Sequence, residues 1–121
     1  MSELHTVPEV ITWSLYTFDE LSRAALYELL ALRQEVFIVG QSCLYLDADG
    51  VDLEALHLCG YNGAGELCAY LRAFLSEGRT GEWKVGRVLV REDHRGAGLG
   101  ERLMREVIAH LSARGARAVH F

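Results

Sequence analysis

The chain has 121 residues, half of them hydrophobic and 24% charged, with a formal net charge of −5. That size and balance fit one globular domain, residues 1–121, able to bury a core. The acidic balance speaks against sequence-independent nucleic-acid binding, which needs a basic face, and no apolar run is long enough to span a bilayer. Met1–His5 lacks a basic stretch followed by an apolar one, so no secretory signal is expected. Cys43, Cys59 and Cys68 are an odd set without a CxxC pair, which points to free thiols, a reducing cytoplasm and no metal. Cys59 and Cys68 lie in strand-like runs as small buried groups, and Cys43, in a looser segment, is the reactive candidate.

Ile11 to Phe18 alternates loosely and reads as a first strand. Ser22 is placed as a helix N-cap, with the helix running to about Glu35 and Leu26, Leu29, Leu30 and Val36 near one face. Arg33 is set into that apolar stripe and is expected to pair with an acid. Gly40 ends the run Val36-Phe37-Ile38-Val39. A loop from Gln41 to Glu54 carries Asp47, Asp49, Asp52 and Glu54. Two strands, Ala55–Tyr61 and Glu66–Leu75, flank the turn signal Asn62-Gly63-Ala64-Gly65. Trp83 to Val90 is a further strand, in which Gly86 marks a bulge or a close backbone approach. Gly98 to Arg114 is the strongest helix. Gly100, Leu103, Met104, Val107, Ile108 and Leu111 hold its apolar rhythm, and Gly115 stands at the C′ position. Ala116 to Phe121 begins another strand, so strand, helix and strand make a right-handed βαβ unit in an α/β mixed sheet flanked by helices.

Between the Trp83–Val90 strand and the Gly98–Arg114 helix, and opening that helix, lies Arg95-Gly96-Ala97-Gly98-Leu99-Gly100. Glycines at a helix start let backbone N–H groups approach something bulky and anionic, and the helix dipole favours negative charge there. A Walker loop needs Lys and Ser/Thr after its last glycine, but Glu101 and Arg102 follow Gly100. A dinucleotide fingerprint needs G-x-G-x-x-G directly after its strand, but Arg91-Glu92-Asp93-His94 intervene.

The pattern Arg/Gln-x-x-Gly-x-Gly/Ala, met by Arg95, Gly98 and Gly100, resembles motif A of the GNAT superfamily of acetyl-CoA-dependent N-acyltransferases. The run from Leu26 to Val39 is similar to the first helix of the ElaA group within that superfamily. Asp47-Ala48-Asp49-Gly50-Val51-Asp52, Ala55-Leu56-His57-Leu58, Ala69-Tyr70-Leu71-Arg72 and Gly86-Arg87-Val88-Leu89-Val90 are similar to that group's next blocks. The chain departs from the group at Gly40, where a glutamate is usual. It also stops at Phe121, whereas GNAT folds continue with a helix, two more strands and often a tyrosine near the CoA sulfur. A missing C-terminal unit is therefore expected.

The resemblance implies a GNAT-like acyl-CoA N-acyltransferase fold and transfer of an acetyl group from acetyl-CoA to a primary amine of a small molecule or peptide. No metal, nucleic acid or membrane is implied, and a homodimer is one arrangement. It implies that the backbone of Arg95, Gly96, Ala97, Gly98, Leu99 and Gly100 holds the pyrophosphate. It also implies that Val88, Leu89 and Val90 run beside the pantetheine arm, one N–H polarising the thioester carbonyl. The side chains of Val88 and Val90 can pack in the core at the same time. His57 is the candidate base, being the side chain that titrates near neutrality, and Tyr70 a second polar candidate. Both have a structural reading in an alternating strand. Asp47, Asp49 and Asp52 either draw in a cationic amine or form a solvated loop. His94 reads as a solvated loop residue. The rival to an enzyme is a non-catalytic acyl-CoA-binding or interaction module.

Overall fold

The computed structural model describes residues 10–39 and 46–121. Gly40 and Cys43 lie outside them. Strands β1 (Thr12–Thr17), β2 (Leu56–Tyr61), β3 (Leu67–Leu75), β4 (Glu82–Val90) and β5 (Ala118–His120) form one sheet in chain order. The first four are antiparallel neighbours, and β5 lies parallel to β4 after the crossover helix α2 (Leu99–Ala113). Helix α1 (Arg23–Arg33) joins β1 to the segment before β2.

Local chemistry accounts for most of these boundaries. The Ser22 side chain accepts a hydrogen bond from the Ala25 N–H at 3.0 Å and starts α1. Past Arg33 the helix widens into a π turn, Gln34–Val39, where the β-branched Val36, Ile38 and Val39 begin. Asn62 organises the β2–β3 hairpin. Its Oδ1 accepts from the N–H groups of Ala64 and Glu66, at 3.0 and 2.9 Å. At the end of α2 the Gly115 N–H reaches Ser112 and the Ala116 N–H reaches Leu111, a Schellman closure with Gly115 at φ 83°.

The sheet separates two apolar clusters. Leu99, Leu103, Val107 and Leu111 of α2 pack on Leu58, Ala69, Leu71 and Val85, with Val88 and Val90 against the same cluster. Ile108 falls off this stripe, 44% exposed, because a four-residue spacing sets the buried line. On the other face Leu29 and Leu32 of α1 pack with Cys59, Leu67, Tyr70 and Leu89. Burial pushes the Cys59 thiol up to about 12, which makes it an inert apolar group. Gly60 is required by packing, since a Cβ there would sit 2.7 Å from the Trp13 ring that covers it.

The irregularity expected around Gly86 is present, one residue further on. Tyr70 pairs with Leu89 but Arg72 pairs with Gly86, so β4 spends one residue more than β3 across this stretch. The strained residue is Arg87, with φ 50°, the one positive-φ residue other than glycine among the described residues. For an L-residue that conformation costs roughly 1–2 kcal/mol.

Candidate functional site

The turn between β4 and α2 is built to leave donors open. Gly96 and Gly98 take φ 87° and 72°, and Gly98 is the N-cap of α2 without any side-chain cap. Among the described residues, none of the N–H groups from Gly96 to Glu101 meets an acceptor. The first internal bond closes only at the Arg102 N–H, which reaches the Gly98 carbonyl at 3.2 Å. The side chain of Arg95 folds back, its Nε donating to the Val90 carbonyl at 3.1 Å, and so ties the turn to the end of β4.

Gly100 is the informative glycine. Its φ is not in the left-handed region, and a Cβ there would meet nothing within 4 Å. Glycine in a helix is worth up to about 1 kcal/mol less than alanine, so nothing among the described residues requires it. What the missing side chain leaves is clear space over the donors. Two cavities flank the turn and share Asp93 and Arg95. One, of about 220 Å³, is lined by Ile11, Ala97, Leu99 and Arg102 as well. The other, of about 630 Å³, reaches Leu32, Glu35 and Val36 at the end of α1.

A second polar centre lies on the α1 face of the sheet. Arg33, fully buried, meets Asp52 at 2.7 Å and Asp47 at 3.1 Å. Arg72 meets Asp52 at 3.0 Å and Asp49 at 2.6 Å. Arg87 meets Asp49 at 3.4 Å and Asp47 at 3.3 Å. The contacts close a ring in which each of three arginines bridges two of three aspartates, with no net charge. Hydrogen bonds from Arg72 hold the Asp49 carboxyl well below the usual carboxylate range. Burial works against the charged form of Asp52, but the hydrogen bonds of Arg33 and Arg72 outweigh it and keep its carboxyl low as well.

This ring corrects the reading of Asp47, Asp49 and Asp52 as an acidic lure for a cationic amine. Their charge is already matched by guanidinium groups, two of which, those of Arg33 and Arg72, are buried. The expected partner for Arg33 is there, but the roles of Arg72 and Arg87 were not foreseen. Arg72 carried the same signal as Arg33: a charge inside an apolar run needs a buried partner.

His57 and Tyr70 are brought together, but inside the molecule. Both are fully buried, and their polar atoms, His57 Nδ1 and the Tyr70 hydroxyl, are 2.6 Å apart. His57 Nε2 lies 2.9 Å from the Asp52 carbonyl, which can only accept, so Nε2 carries the proton. Burial lowers the histidine's affinity for a second proton, so the ring is neutral and Nδ1 accepts from the tyrosine. The expectation that either residue meets an incoming amine is thereby corrected, because both are saturated and closed to solvent. They brace the ion-pair ring from below. His94 is not the solvated loop residue expected: its side chain is only 13% exposed, and its ring bonds Asp93 at 2.8 Å.

The ring and the histidine set a pH dependence. His57 binds its proton less well folded than unfolded, so its contribution is complete above its ordinary value of about 6.5 and is lost as pH falls below it. The Asp49 and Asp52 contribution has the same sign, complete above about 3.9 and lost on further acidification. Urea midpoints followed from pH 8 to 3 should therefore fall in two limbs. His57→Gln should remove the upper limb only, and an unchanged upper limb in that variant would assign it elsewhere.

The model of the acetyltransferase (GNAT) family matches residues 8–121. The chain belongs to the GNAT acetyltransferase family. It is 46% identical over 94 residues to a UPF0039 protein of Synechocystis, covering 78% of this chain and 61% of the relative. To ElaA of Escherichia coli it is 40% identical over 101 residues, covering 82% of this chain and 65% of ElaA. The crystal structure of E. coli ElaA matches with a TM-score of 0.79 at 38% identity, over 86% of this chain and 71% of that one. A GNAT acetyltransferase of Brucella melitensis, crystallised in complex with acetyl-CoA, shares the fold with a TM-score of 0.64 at 19% identity, over 89% of this chain and 73% of that one. The chain thus spans less than two thirds of the length of these two sequence relatives. The mixed sheet with α2 crossing between β4 and β5 is the GNAT acyl-CoA N-acyltransferase fold.

Proposed function

We propose that this chain carries the acetyl-CoA site of an N-acetyltransferase that acts on a primary amine of a small molecule or peptide. The observation that carries the reading is the unbroken run of N–H donors from Gly96 to Glu101, at the positive end of a 15-residue helix. A pyrophosphate needs such donors and the open space above Gly98 and Gly100. Arg95 adds positive charge beside it. The Brucella protein of the same fold, crystallised with acetyl-CoA, supports the choice of ligand.

In this reading the pantetheine arm runs along Val88, Leu89 and Val90. Beyond Lys84, β4 has no strand partner on its β5 side among the described residues, so that edge can pair with the arm's amides. The neutral amine nitrogen attacks the thioester carbonyl carbon, charge develops on the carbonyl oxygen, and the C–S bond breaks as CoA departs as the thiolate, with the proton lost from the nitrogen balanced by the one the thiolate takes up from water. A β4 N–H at Leu89 or Val90 would stabilise the developing charge, the role of an oxyanion-hole donor. The buried free thiols of Cys59 and Cys68 fit a cytoplasmic setting, and no helix among the described residues is long and apolar enough to cross a membrane.

The burial of His57 and Tyr70 favours a second reading, an acyl-CoA-binding module without transfer. Release of CoA thiol from acetyl-CoA that depends on added amine, screened across amines and peptide N-termini, separates the two.

Gly100→Ala tests the shared part of both readings. A methyl group should weaken CoA binding by about tenfold while leaving the fold as stable or up to about 1 kcal/mol more stable, because alanine is the better helix former. Calorimetric titration with CoA and a urea titration check the two halves. Undiminished CoA affinity would refute the site.

A further inference from the structure

The ring of ion pairs ends on a strained residue. Arg87 sits in the β4 bulge at φ 50°, where glycine or asparagine is the usual occupant. Its guanidinium reaches Asp47 Oδ1 at 3.3 Å and Asp49 Oδ2 at 3.4 Å, and lies 3.4 Å from the Leu46 carbonyl. Those acids are themselves held. Arg72, on the strand paired with the bulge, grips Asp49 through two bonds of 2.6 and 2.8 Å. Arg33, at the end of α1, grips Asp47 through Nε at 3.2 Å and its carbonyl at 2.6 Å. Two elements, β3 and α1, therefore fix the loop, and the loop fixes Arg87.

The bulge has a consequence downstream. One extra residue between Gly86 and Leu89 shifts the register of the next residues and decides which backbone groups face β3 and which face the open edge. Those next residues are Val88, Leu89 and Val90. We propose that Arg87 is a positioning residue for acyl transfer, its ion pairs with Asp47 and Asp49 holding the bulge in the shape that presents the backbone of Val88–Val90 to the thioester arm. The proposal rests on the acetyl-CoA reading given above. It assigns the acidic loop a part in the reaction without contact to the amine.

The test exploits the left-handed backbone. Arg87→Ala removes the clamp and keeps the strain, so the bulge should relax toward a regular strand. Arg87→Gly removes the clamp and the strain together, so the bulge should persist. A role in charge balance alone would make the two variants equal. Two ligands separate the arm from the turn: acetyl-CoA, and 3′-phosphoadenosine 5′-diphosphate, which has the pyrophosphate but no pantetheine. Arg87→Ala should lose about tenfold in acetyl-CoA affinity and keep its affinity for the nucleotide, while Arg87→Gly stays within about threefold of the unaltered chain for both, the gap matching the steric penalty on a non-glycine residue.

Backbone amide chemical shifts of Leu89 and Val90 in the free protein, beyond the direct neighbours of the substituted residue, give a readout that needs no ligand. They should coincide in the unaltered chain and Arg87→Gly and move in Arg87→Ala. If Arg87→Ala does not fold, a folded Arg87→Gly with the unaltered shift pattern and ligand affinities still supports the clamp. Equal losses in the two variants, or unmoved shifts and affinity in Arg87→Ala, would overturn it. If the unaltered chain binds neither ligand, the acetyl-CoA reading fails and with it the role in transfer, whereas the shifts still judge whether Arg87 holds the bulge.

Discussion

Arg33→Met should cost the chain about 3–5 kcal/mol, the range for breaking a buried ion pair by removing one partner. Arg33 is fully buried and feeds two aspartates, one of them Asp52, which is itself 8% exposed. Methionine fills much of the volume, so the loss reports charge rather than a cavity. Asp52 keeps Arg72 and Asp47 keeps Arg87, which limits the damage. With a typical total stability of about 5–15 kcal/mol, such a loss is a large share of what holds the domain. Arg33→Lys should fall between, because an ammonium restores the charge but cannot serve Asp52 and Asp47 as a planar fork. The double change Arg33→Met with Asp52→Asn should be less harmful than Arg33→Met alone, since it returns the buried cluster to two arginines against two aspartates. Urea unfolding measures all three. A cost under about 1 kcal/mol for Arg33→Met would place the pair among solvated surface bridges.

The second large effect is expected at the turn. Gly98→Val should reduce CoA affinity by a factor of about one hundred or more, equivalent to about 2.7 kcal/mol. The valine would stand in the space over the N-terminus of α2, where no described residue lies within 4 Å. It would also be forced to φ 72°, a conformation that suits a β-branched residue poorly. Gly98→Asn separates the two causes, because asparagine accepts the left-handed backbone yet still adds a side chain. It should fold like the unaltered chain and bind CoA weakly. Calorimetry on thermally characterised samples gives both quantities. An asparagine variant with full affinity would mean that the glycine serves the backbone alone, and that the ligand does not pass over this turn.

Most of the elements were legible in the sequence because their causes are local. The cap at Ser22, the Asn62 turn, the amphipathic stripe of α2 and the closure at Gly115 each depend on residues within about one or two helical turns or one hairpin. The open donors from Gly96 to Gly100 were legible for the same reason: a glycine-rich helix start leaves its own N–H groups free whatever surrounds it. The family resemblance rested on those same short blocks. Boundaries moved by a residue or two, and the π turn after Arg33 was not visible, since periodicity says that a helix is present but not how tightly it winds.

The second polar centre was decided by tertiary structure. Asp47, Asp49 and Asp52 read as open acids because nothing in a chain of letters shows which arginines will stand over them. Arg33, Arg72 and Arg87 come from a helix, a central strand and a bulge, and only the folded sheet sets their guanidinium groups within 3.4 Å of the same loop. His57 and Tyr70 have the chemistry of a base and an acid, but burial decides whether a titratable group can reach a substrate, and burial is a property of the packed molecule. Local patterning determined the elements and the open donors at the glycine turn, which depend on short-range backbone geometry, and the GNAT fold followed from the family resemblance. Which charges remain free, and which proton carriers face the cleft, depended on residues far apart in the chain and was set only when β3, β4 and α1 closed around the loop.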